Sequence, residues 1–285
     1  MNQISNINNT FESYQKLISF YQINKDKQFE DIHISITSWF AANMCSAFGG
    51  LLDILSSHLN NIKLDYISPS IEKILQKNDF LSYFDREKIA DNYHTTIRYL
   101  KLKPTDGKYF NSYVINELLG RNELPRMSDL VKEKMAETIY EIFVNAQIHS
   151  ESNFIYTCGQ FYPNENKIEF TITDIGIGFK NKVNRRFNTN LSSTQAIKWA
   201  TQDKNTTKID ISGGIGLALL KEFIAKNHGK MQIVSDDGYY EFSANGEQTG
   251  LFNGQFPGTI VNLQFRTDDN SSYILKKEIN NNDIF

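Results

Sequence analysis

Polar side chains recur every four residues along a predicted amphipathic helix spanning Ser128–Ser150. They are Glu137, Glu141, Asn145 and His149, and a spacing of four stacks side chains on one face of an α-helix. A carboxylate in such a row can act as a general base, and an amide oxygen can bind Mg²⁺, which prefers oxygen ligands. A solvated helix face shows the same spacing, so this row by itself leaves both interpretations open.

A glycine-containing turn closes the predicted strand Lys167–Asp174, in the run Asp174-Ile-Gly-Ile-Gly178. An aspartate at a strand end can accept a hydrogen bond from an amino group of a ligand. The two glycines lack Cβ atoms, which allows a tight turn or the close approach of a ligand to the backbone. An ordinary tight turn uses the same residue types, and that interpretation stays open here.

A second glycine-rich turn, Gly213-Gly-Ile-Gly-Leu217, directly precedes an apolar helix predicted over Ile215–Asn227. Such a turn presents backbone N–H groups and the positive end of the helix dipole to an anion such as phosphate. It lacks the Gly-Lys-Ser/Thr of a Walker loop and the ribose-binding acid of a Rossmann fold. Flexible helix capping is the alternative. The pair Gly258-Thr259, before the predicted strand Thr259–Arg266, is uninformative by itself.

In this order the four elements resemble the nucleotide-binding fold of the gyrase, chaperone, histidine-kinase and MutL ATPases, the GHKL superfamily. The shared motifs are Glu-x-x-x-Asn-Ala, Asp-x-Gly-x-Gly, Gly-x-Gly-Leu before a helix and Gly-Thr before a strand, and they span Leu130–Arg266. The resemblance implies an α/β protein with a Bergerat fold. This fold is an α+β two-layer sandwich whose mixed sheet carries helices on one face, with ATP between the helices and a mobile lid.

The resemblance also implies which residues bind ATP and Mg²⁺. Asn145 would hold Mg²⁺, Glu141 would be the catalytic general base, and Asp174 would bind the adenine amino group. Thr259 would assist Asp174 through a water molecule, and Phe179–Ser212 would form the lid, loosely ordered without nucleotide. The other positions implied to bind the nucleotide are His149, Gly176, Gly178, Gly214, Ile215, Gly216 and Leu217.

Within the superfamily, the stretch from Glu141 to His149 is similar to the anti-sigma-factor serine kinases, whose substrates have the STAS fold. In those kinases the glutamate accepts the proton of a protein serine as it attacks the γ-phosphate. No histidine has the context of a phosphoacceptor, so we expect no sensor histidine kinase with its own H-box. The resemblance favours a serine/threonine protein kinase or ATPase, and the alternative is a non-catalytic, ATP-dependent switch that binds a partner protein.

The part of the chain before this region predicts a small α/β domain over residues 31–100, after a polar lead-in over 1–30 that contains one helix around Thr10–Tyr21. Its predicted elements are a strand Asp31–Thr37, a helix Phe40–Leu59, a strand Asn61–Ile67 and a helix Ser70–Phe84. It faintly resembles half of a STAS domain, although Ala41-Ala42-Asn43 stands where a STAS substrate has its serine. A plain packing domain is the alternative. The ATPase domain is predicted over 125–268 and a tail over 269–285.

Composition limits the classes of partner and the cellular compartment that we expect for this protein. The 285 residues carry a net charge of −3 without a basic cluster, so we expect no nucleic-acid binding. The uncharged stretch between Asp31 and Asp53 is too polar to span a membrane, no signal peptide is visible, and two cysteines fit a reduced cytoplasmic setting. The expected partners are ATP and a protein, with a STAS-like protein as one option. A homodimer is compatible with the sequence.

Overall fold

The structure is a computed structural model that describes residues 2–149, 152–202, 215–275 and 278, with the backbone alone at 148–149 and 215–217. It confirms a mixed α/β class. Within the described residues, the strands form a three-stranded sheet of order β1-β2-β3 (the small sheet), a five-stranded sheet of order β4-β6-β7-β9-β8 (the large sheet) and a β5–β10 pair. The elements of the N-terminal unit, residues 2–84, are β1 (Asn2–Ile4), α1 (Phe11–Asn24), β2 (Asp31–Ile36), α2 (Cys45–Ser57), β3 (Asn61–Ile67) and α3 (Pro69–Lys77).

The elements after the N-terminal unit build the large sheet and its helices. They are β4 (Thr96–Leu102), α4 (Gly107–Tyr113), β5 (Arg126–Met127), α5 (Asp129–His149), β6 (Ile155–Tyr162), β7 (Lys167–Asp174), α6 (Gly178–Phe187), α7 (Ser193–Thr201), α8 (Ile215–Lys226), β8 (Lys230–Ser243), β9 (Gly246–Arg266) and β10 (Ser272–Tyr273). Ser128, which the sequence predicts as an N-cap, precedes α5 and caps it, since its Oγ accepts a hydrogen bond from the Val131 amide at 3.2 Å.

The segment predicted as a polar lead-in belongs to the folded N-terminal unit. It forms β1, which pairs in parallel with β2, and α1. Tyr14, Leu17 and Ile18 of α1 are fully or almost fully buried. These residues have the i, i+3, i+4 spacing of a helix face, and α1 confirms the helix predicted around Thr10–Tyr21.

The region assigned to a boundary between domains contributes to the large sheet. β4 forms one edge of that sheet, pairing antiparallel with β6. Ile97 of β4 and Phe110 of α4 are fully buried in the same core as α5. The second unit therefore begins before residue 125, because the turn residues Pro104-Thr-Asp-Gly107 connect β4 to α4 instead of separating two domains.

Helices cover both faces of the large sheet. Ile168, Phe170 and Ile172 of β7 pack in the core that includes α5 and α8, whereas Thr171 and Thr173 face the N-terminal unit. All the strand pairs of this sheet are antiparallel. The expectation of a mixed sheet with helices on one face is therefore wrong, because it had no role for residues 2–84 on the second face.

A long hairpin joins the large sheet to the N-terminal unit. The two strands predicted at Met231–Ser235 and Tyr239–Ser243 are one strand, β8, with an irregularity at Asp236. The first half of β9 extends beyond β7 and pairs with β8, and its Phe252 ring stacks on Phe11 of α1 with centroids 4.4 Å apart. Sequence periodicity did not predict this half of β9.

The structure also tests two expectations that came from composition. Cys45 and Cys158 are free and buried, as expected for a chain without a disulfide framework. Among the described residues, no helix has both the length and the apolarity needed to cross a membrane.

Candidate functional site

One end of the large sheet, which we call the site end, brings several predicted site residues together. β7 ends there at Asp174, which pairs with Ile155 on one side and with Thr259 on the other. α5 leads into β6 through a short connection, so its C-terminal half approaches the same end. That half carries Glu141 and Asn145, both half-buried. His149 is the last residue of α5 in the backbone, and its side chain lies outside the described atoms.

Helix α8 runs along the sheet with its N-terminus directed towards the site end. A short turn joins Lys226 to Lys230, which pairs with Gln264 near the opposite end of the sheet. The 12 residues of α8 span about 18 Å, so the helix extends back along the sheet. Its first residues, Ile215 and Gly216, therefore lie towards Asp174. Leu217 follows in the same first turn, and Gly214 lies outside the described residues.

Asp174 is a buried carboxylate with an unused acceptor. Its side chain is 7% exposed, and its Oδ1 atom has no hydrogen-bond partner among the described residues. Burial raises its pKa to about 7; Lys182 opposes this shift, and the nearby carboxylate of Asp236 adds to it. Because buried polar atoms are rarely left unpaired, an orphaned acceptor at the end of a strand suits a ligand that brings a hydrogen-bond donor.

Two glycines beside Asp174 are required by close packing. Gly178 has φ +70°, and a Cβ atom there would lie 2.6 Å from a carboxylate oxygen of Asp236. Gly258 has φ +145°, and its Cβ atom would lie 2.1 Å from the carbonyl oxygen of Asp174 and 2.8 Å from the amide nitrogen of Gly176. These glycines therefore let the segments around Asp174 pack closely, and for Gly178 this role is separate from the access for a base that the resemblance implies.

Side chains of β8 cap α6, which has no capping side chain of its own at the preceding residue. The Phe179 amide donates to Ser235 Oγ at 2.8 Å, and the Lys180 amide donates to Asp236 Oδ2 at 3.3 Å. Ser235 Oγ also lies 3.3 Å from Thr259 Oγ1, next to Asp174 in the sheet. The start of α6 and the predicted base pocket thus share one hydrogen-bond network.

Sequence reasoning missed Ser235 and Asp236. A signal was present, because Asp236 directly follows the predicted strand Met231–Ser235, much as Asp174 ends the predicted strand Lys167–Asp174. Asp236 is also a buried non-glycine residue with φ +54°. Burial raises its pKa, and the Lys180 amide opposes the shift.

The predicted lid is in part a packed structure. Residues 179–202 form most of α6 and all of α7, and α7 occupies the residues predicted for a short helix. Val183, Ala196 and Ile197 are buried there, so these residues pack against the rest of the protein, and their loss of order without nucleotide stays a prediction. The apolar residues are few, but helical spacing directs them to one side. Residues 203–212 of the predicted lid lie outside the described residues.

The described residues offer isolated oxygen ligands for a metal ion, not a cluster of them. Within the described part of the chain, no group of three or more His, Cys, Asp or Glu side chains could hold a metal ion. Asn145 provides an amide oxygen at the site end, which fits Mg²⁺, because this ion keeps several waters and binds phosphate oxygens. Among the described residues, Asn145 thus supplies a ligand of the type that Mg²⁺ prefers, without a cluster of acidic, histidine or cysteine side chains that would hold the ion.

Comparison with known proteins adds no assignment. No family model matches the sequence. No curated protein matches it either.

The buried carboxylates of β7 predict how stability depends on pH. Burial raises the pKa of Glu169 to about 7, against the opposing charge of Lys167, and that of Asp174 to about 7 as well. Between about pH 4.5 and 7 the folded protein keeps protons that the unfolded chain has released, so stability falls as the pH rises. We expect a slope of up to about 1.4 kcal/mol per pH unit for each group, measured by urea unfolding at a series of pH values.

The variant Glu169→Gln isolates one of these groups. The slope of its stability against pH should be smaller by the equivalent of about one proton, because glutamine does not titrate. The fold should be kept, since the amide oxygen can still accept from Asn262 Nδ2, which lies 2.8 Å from Glu169 Oε2. Glu165→Gln is the control, since Glu165 is exposed and contacts the same Lys167 ammonium at 2.8 Å. A Glu169→Gln variant with the wild-type slope would refute the buried titration.

Proposed function

We propose that this protein is an ATP- and Mg²⁺-binding signalling protein of the GHKL type, with a Bergerat-like site at the end of the large sheet. The proposed activity is that of a serine/threonine protein kinase or ATPase of the anti-sigma kind. The observation that carries the proposal is the unpaired, buried Oδ1 atom of Asp174. It lies at the sheet end approached by the Glu141–Asn145 segment and the N-terminus of α8.

Each part of the site has a role in this proposal. Asp174 accepts from the adenine amino group, helped by Thr259, and the first turn of α8 receives the phosphates with its free N–H groups and dipole. Asn145 would contribute an oxygen ligand to Mg²⁺, and the ion would supply charge neutralisation at the phosphates. Glu141 accepts the proton of the attacking hydroxyl group or water, so that the nucleophile approaches the γ-phosphate as an anion.

The proposed partner is a protein of the STAS fold that offers a serine to the γ-phosphate. The strands of the small sheet are all parallel, which is compatible with interpreting residues 31–84 as a degenerate STAS-like unit. The residues Ala41-Ala42-Asn43 provide no serine there, so the acceptor is proposed to lie on a separate protein. A cytoplasmic setting and a homodimer belong to the same proposal.

Calorimetric titration of the full chain with Mg·ATP tests the proposal directly. We expect saturable binding that weakens when Mg²⁺ is chelated and that is weaker for GTP than for ATP. A transfer assay with γ-labelled ATP and STAS-fold proteins then separates a kinase from an ATPase. The complete absence of adenine-nucleotide affinity would exclude both.

A non-catalytic switch is the second candidate, and the α6 cap favours it. Ser235 connects the α6 amide of Phe179 to Thr259, so a ligand that engages Thr259 can change how α6 is held. Nucleotide binding would then shift the population of α6 conformations that a partner recognises. Partner capture that requires nucleotide but proceeds without turnover would favour the switch over the enzyme.

A further inference from the structure

Helix α2 of the N-terminal unit, with the short turn before it, lies along β7 towards the site end. The residues that meet are 3 and 4 positions apart in the helical segment and 2 positions apart along β7 and the residue after it, as expected for one face of a helix against one face of a strand. They join Asn43 Nδ2 to Thr171 Oγ1 at 2.9 Å, Ser46 Oγ to Thr173 Oγ1 at 3.1 Å, and the Gly50 backbone to the side chain of Ile175.

The last of these contacts leaves no free space. A Cβ atom on Gly50 would lie 2.8 Å from Ile175 Cδ1 and 3.3 Å from Tyr156 Cδ2. Ile175 directly follows Asp174, so α2 reaches the residue next to the orphaned carboxylate. The other contacts that hold α2 on β7 involve side chains that are fully buried, which fixes the register of the helix against the strand.

α2 is also anchored to the rest of the large sheet. Tyr156 of β6 donates its hydroxyl to Asp53 Oδ2 at 2.7 Å, and Lys101 of β4 forms an ion pair with the same carboxylate at 2.5 Å. Asp53 lies one turn after Gly50 on α2. The helix is thus held on both sides of its contact with Ile175, so it can transmit a displacement instead of absorbing it.

From this packing we infer that α2 is a positioning element for the loop Asp174–Gly178, with Gly50 as its positioning residue. The N-terminal unit is therefore part of the nucleotide site, and its position against β7 sets the affinity of the base pocket. This inference rests on the proposed nucleotide function. The physical reason is that Ile175 directly follows Asp174, so any part of the displacement that the Ile175 side chain does not absorb by rotation is passed to the backbone of Asp174, and a misplaced acceptor makes a weaker hydrogen bond.

The test inserts one methyl group and then makes room for it. Gly50→Ala should weaken Mg·ATP binding roughly tenfold in calorimetry, the size of effect typical for coupled neighbours. It should also raise amide hydrogen exchange over residues 174–178 in the absence of nucleotide. The double variant Gly50→Ala/Ile175→Ala removes the side-chain atoms that clash and should restore both readouts to near the wild-type values.

The neighbouring glycine provides the matched control. A Cβ atom on Gly49 would meet Tyr99 and Phe80 instead of Ile175. Gly49→Ala should therefore lower the melting temperature without changing exchange over 174–178. If Gly50→Ala or its control Gly49→Ala fails to fold, a second pair of variants replaces them, with Ser46→Ala as the test and Ser57→Ala as the control. Ser57 is a suitable control because it is exposed and its hydroxyl donates to the Ile54 carbonyl oxygen of its own helix. Ser46→Ala should change exchange at the loop and Ser57→Ala should not.

The outcomes separate this inference from the proposed function. A wild-type protein that binds no nucleotide refutes the proposed function, while the exchange measurement without nucleotide still decides whether α2 positions the loop. Unchanged exchange over 174–178 in both Gly50→Ala and Ser46→Ala overturns the positioning role. So does a double variant whose exchange stays as high as that of Gly50→Ala.

Discussion

Glu141→Gln is expected to lower phosphoryl transfer or ATP hydrolysis by about 10²- to 10⁴-fold while ATP affinity stays within about threefold of wild type. The amide keeps the shape of the side chain but cannot accept the proton of the attacking oxygen. Because the base acts on the nucleophile and does not contact the nucleotide in the proposed arrangement, the loss should appear in turnover. Single-turnover phosphate release and calorimetry, on the same preparation, measure the two quantities separately.

Glu137→Gln is the matched control for this variant. Glu137 lies one turn earlier on the same helix, is exposed and pairs with Lys134 at the surface. We expect its turnover to equal that of wild type. Glu141→Gln with full turnover would remove the base assignment, and the binding switch would then be the better description of this protein.

Asp174→Asn is expected to weaken Mg·ATP binding by about 10- to 150-fold, the value of a hydrogen bond to a charged acceptor. GTP should lose less, because guanine carries a carbonyl oxygen in place of the adenine amino group. The pH dependence should change as well. Burial raises the pKa of Asp174 to about 7, so wild-type ATP affinity should fall below that pH, and the variant should lack this dependence.

Asp237→Asn controls for the loss of a nearby negative charge. Asp237 is half-buried and accepts from Ser193 Oγ of α7, so its carboxylate serves the packing of that helix. Its substitution should affect stability but not the ratio of ATP to GTP affinity. An equal loss of ATP and GTP binding in Asp174→Asn would exclude recognition of adenine by this carboxylate.

Local elements were predictable because their information is local. β3, β7 and α7 occupy the predicted residues, and α5 begins after the predicted capping serine, Ser128. In each case, the period of apolar residues or a capping side chain lies within the element itself. The helix predicted over Ser70–Phe84 instead ends at Lys77, with a separate 3₁₀ turn at Leu81–Phe84, because Asn78 and Asp79 interrupt it.

The functions predicted for individual residues, unlike the local elements, are not tested by the structure. The order of Glu141, Asn145, Asp174 and Thr259 along the chain could be read from the sequence, and strand pairing brings Asp174 and Thr259 together. The roles of these residues toward ATP remain a proposal. The position of Asp236 after a predicted strand marked it as a candidate, but its capping role and that of Ser235 could not be predicted, because the amides that they cap lie more than fifty residues away in sequence.

The amino-acid sequence by itself determined the class of elements, most of their bounds and the set of polar and glycine residues available for chemistry. Only the tertiary structure decided that residues 2–84 cover the second face of the large sheet, that Gly50 abuts Ile175, and that Asp174 is buried with an unpaired oxygen. The physical reason is that periodicity acts over a few neighbouring residues, whereas burial, electrostatic environment and close approach depend on segments joined across most of the chain.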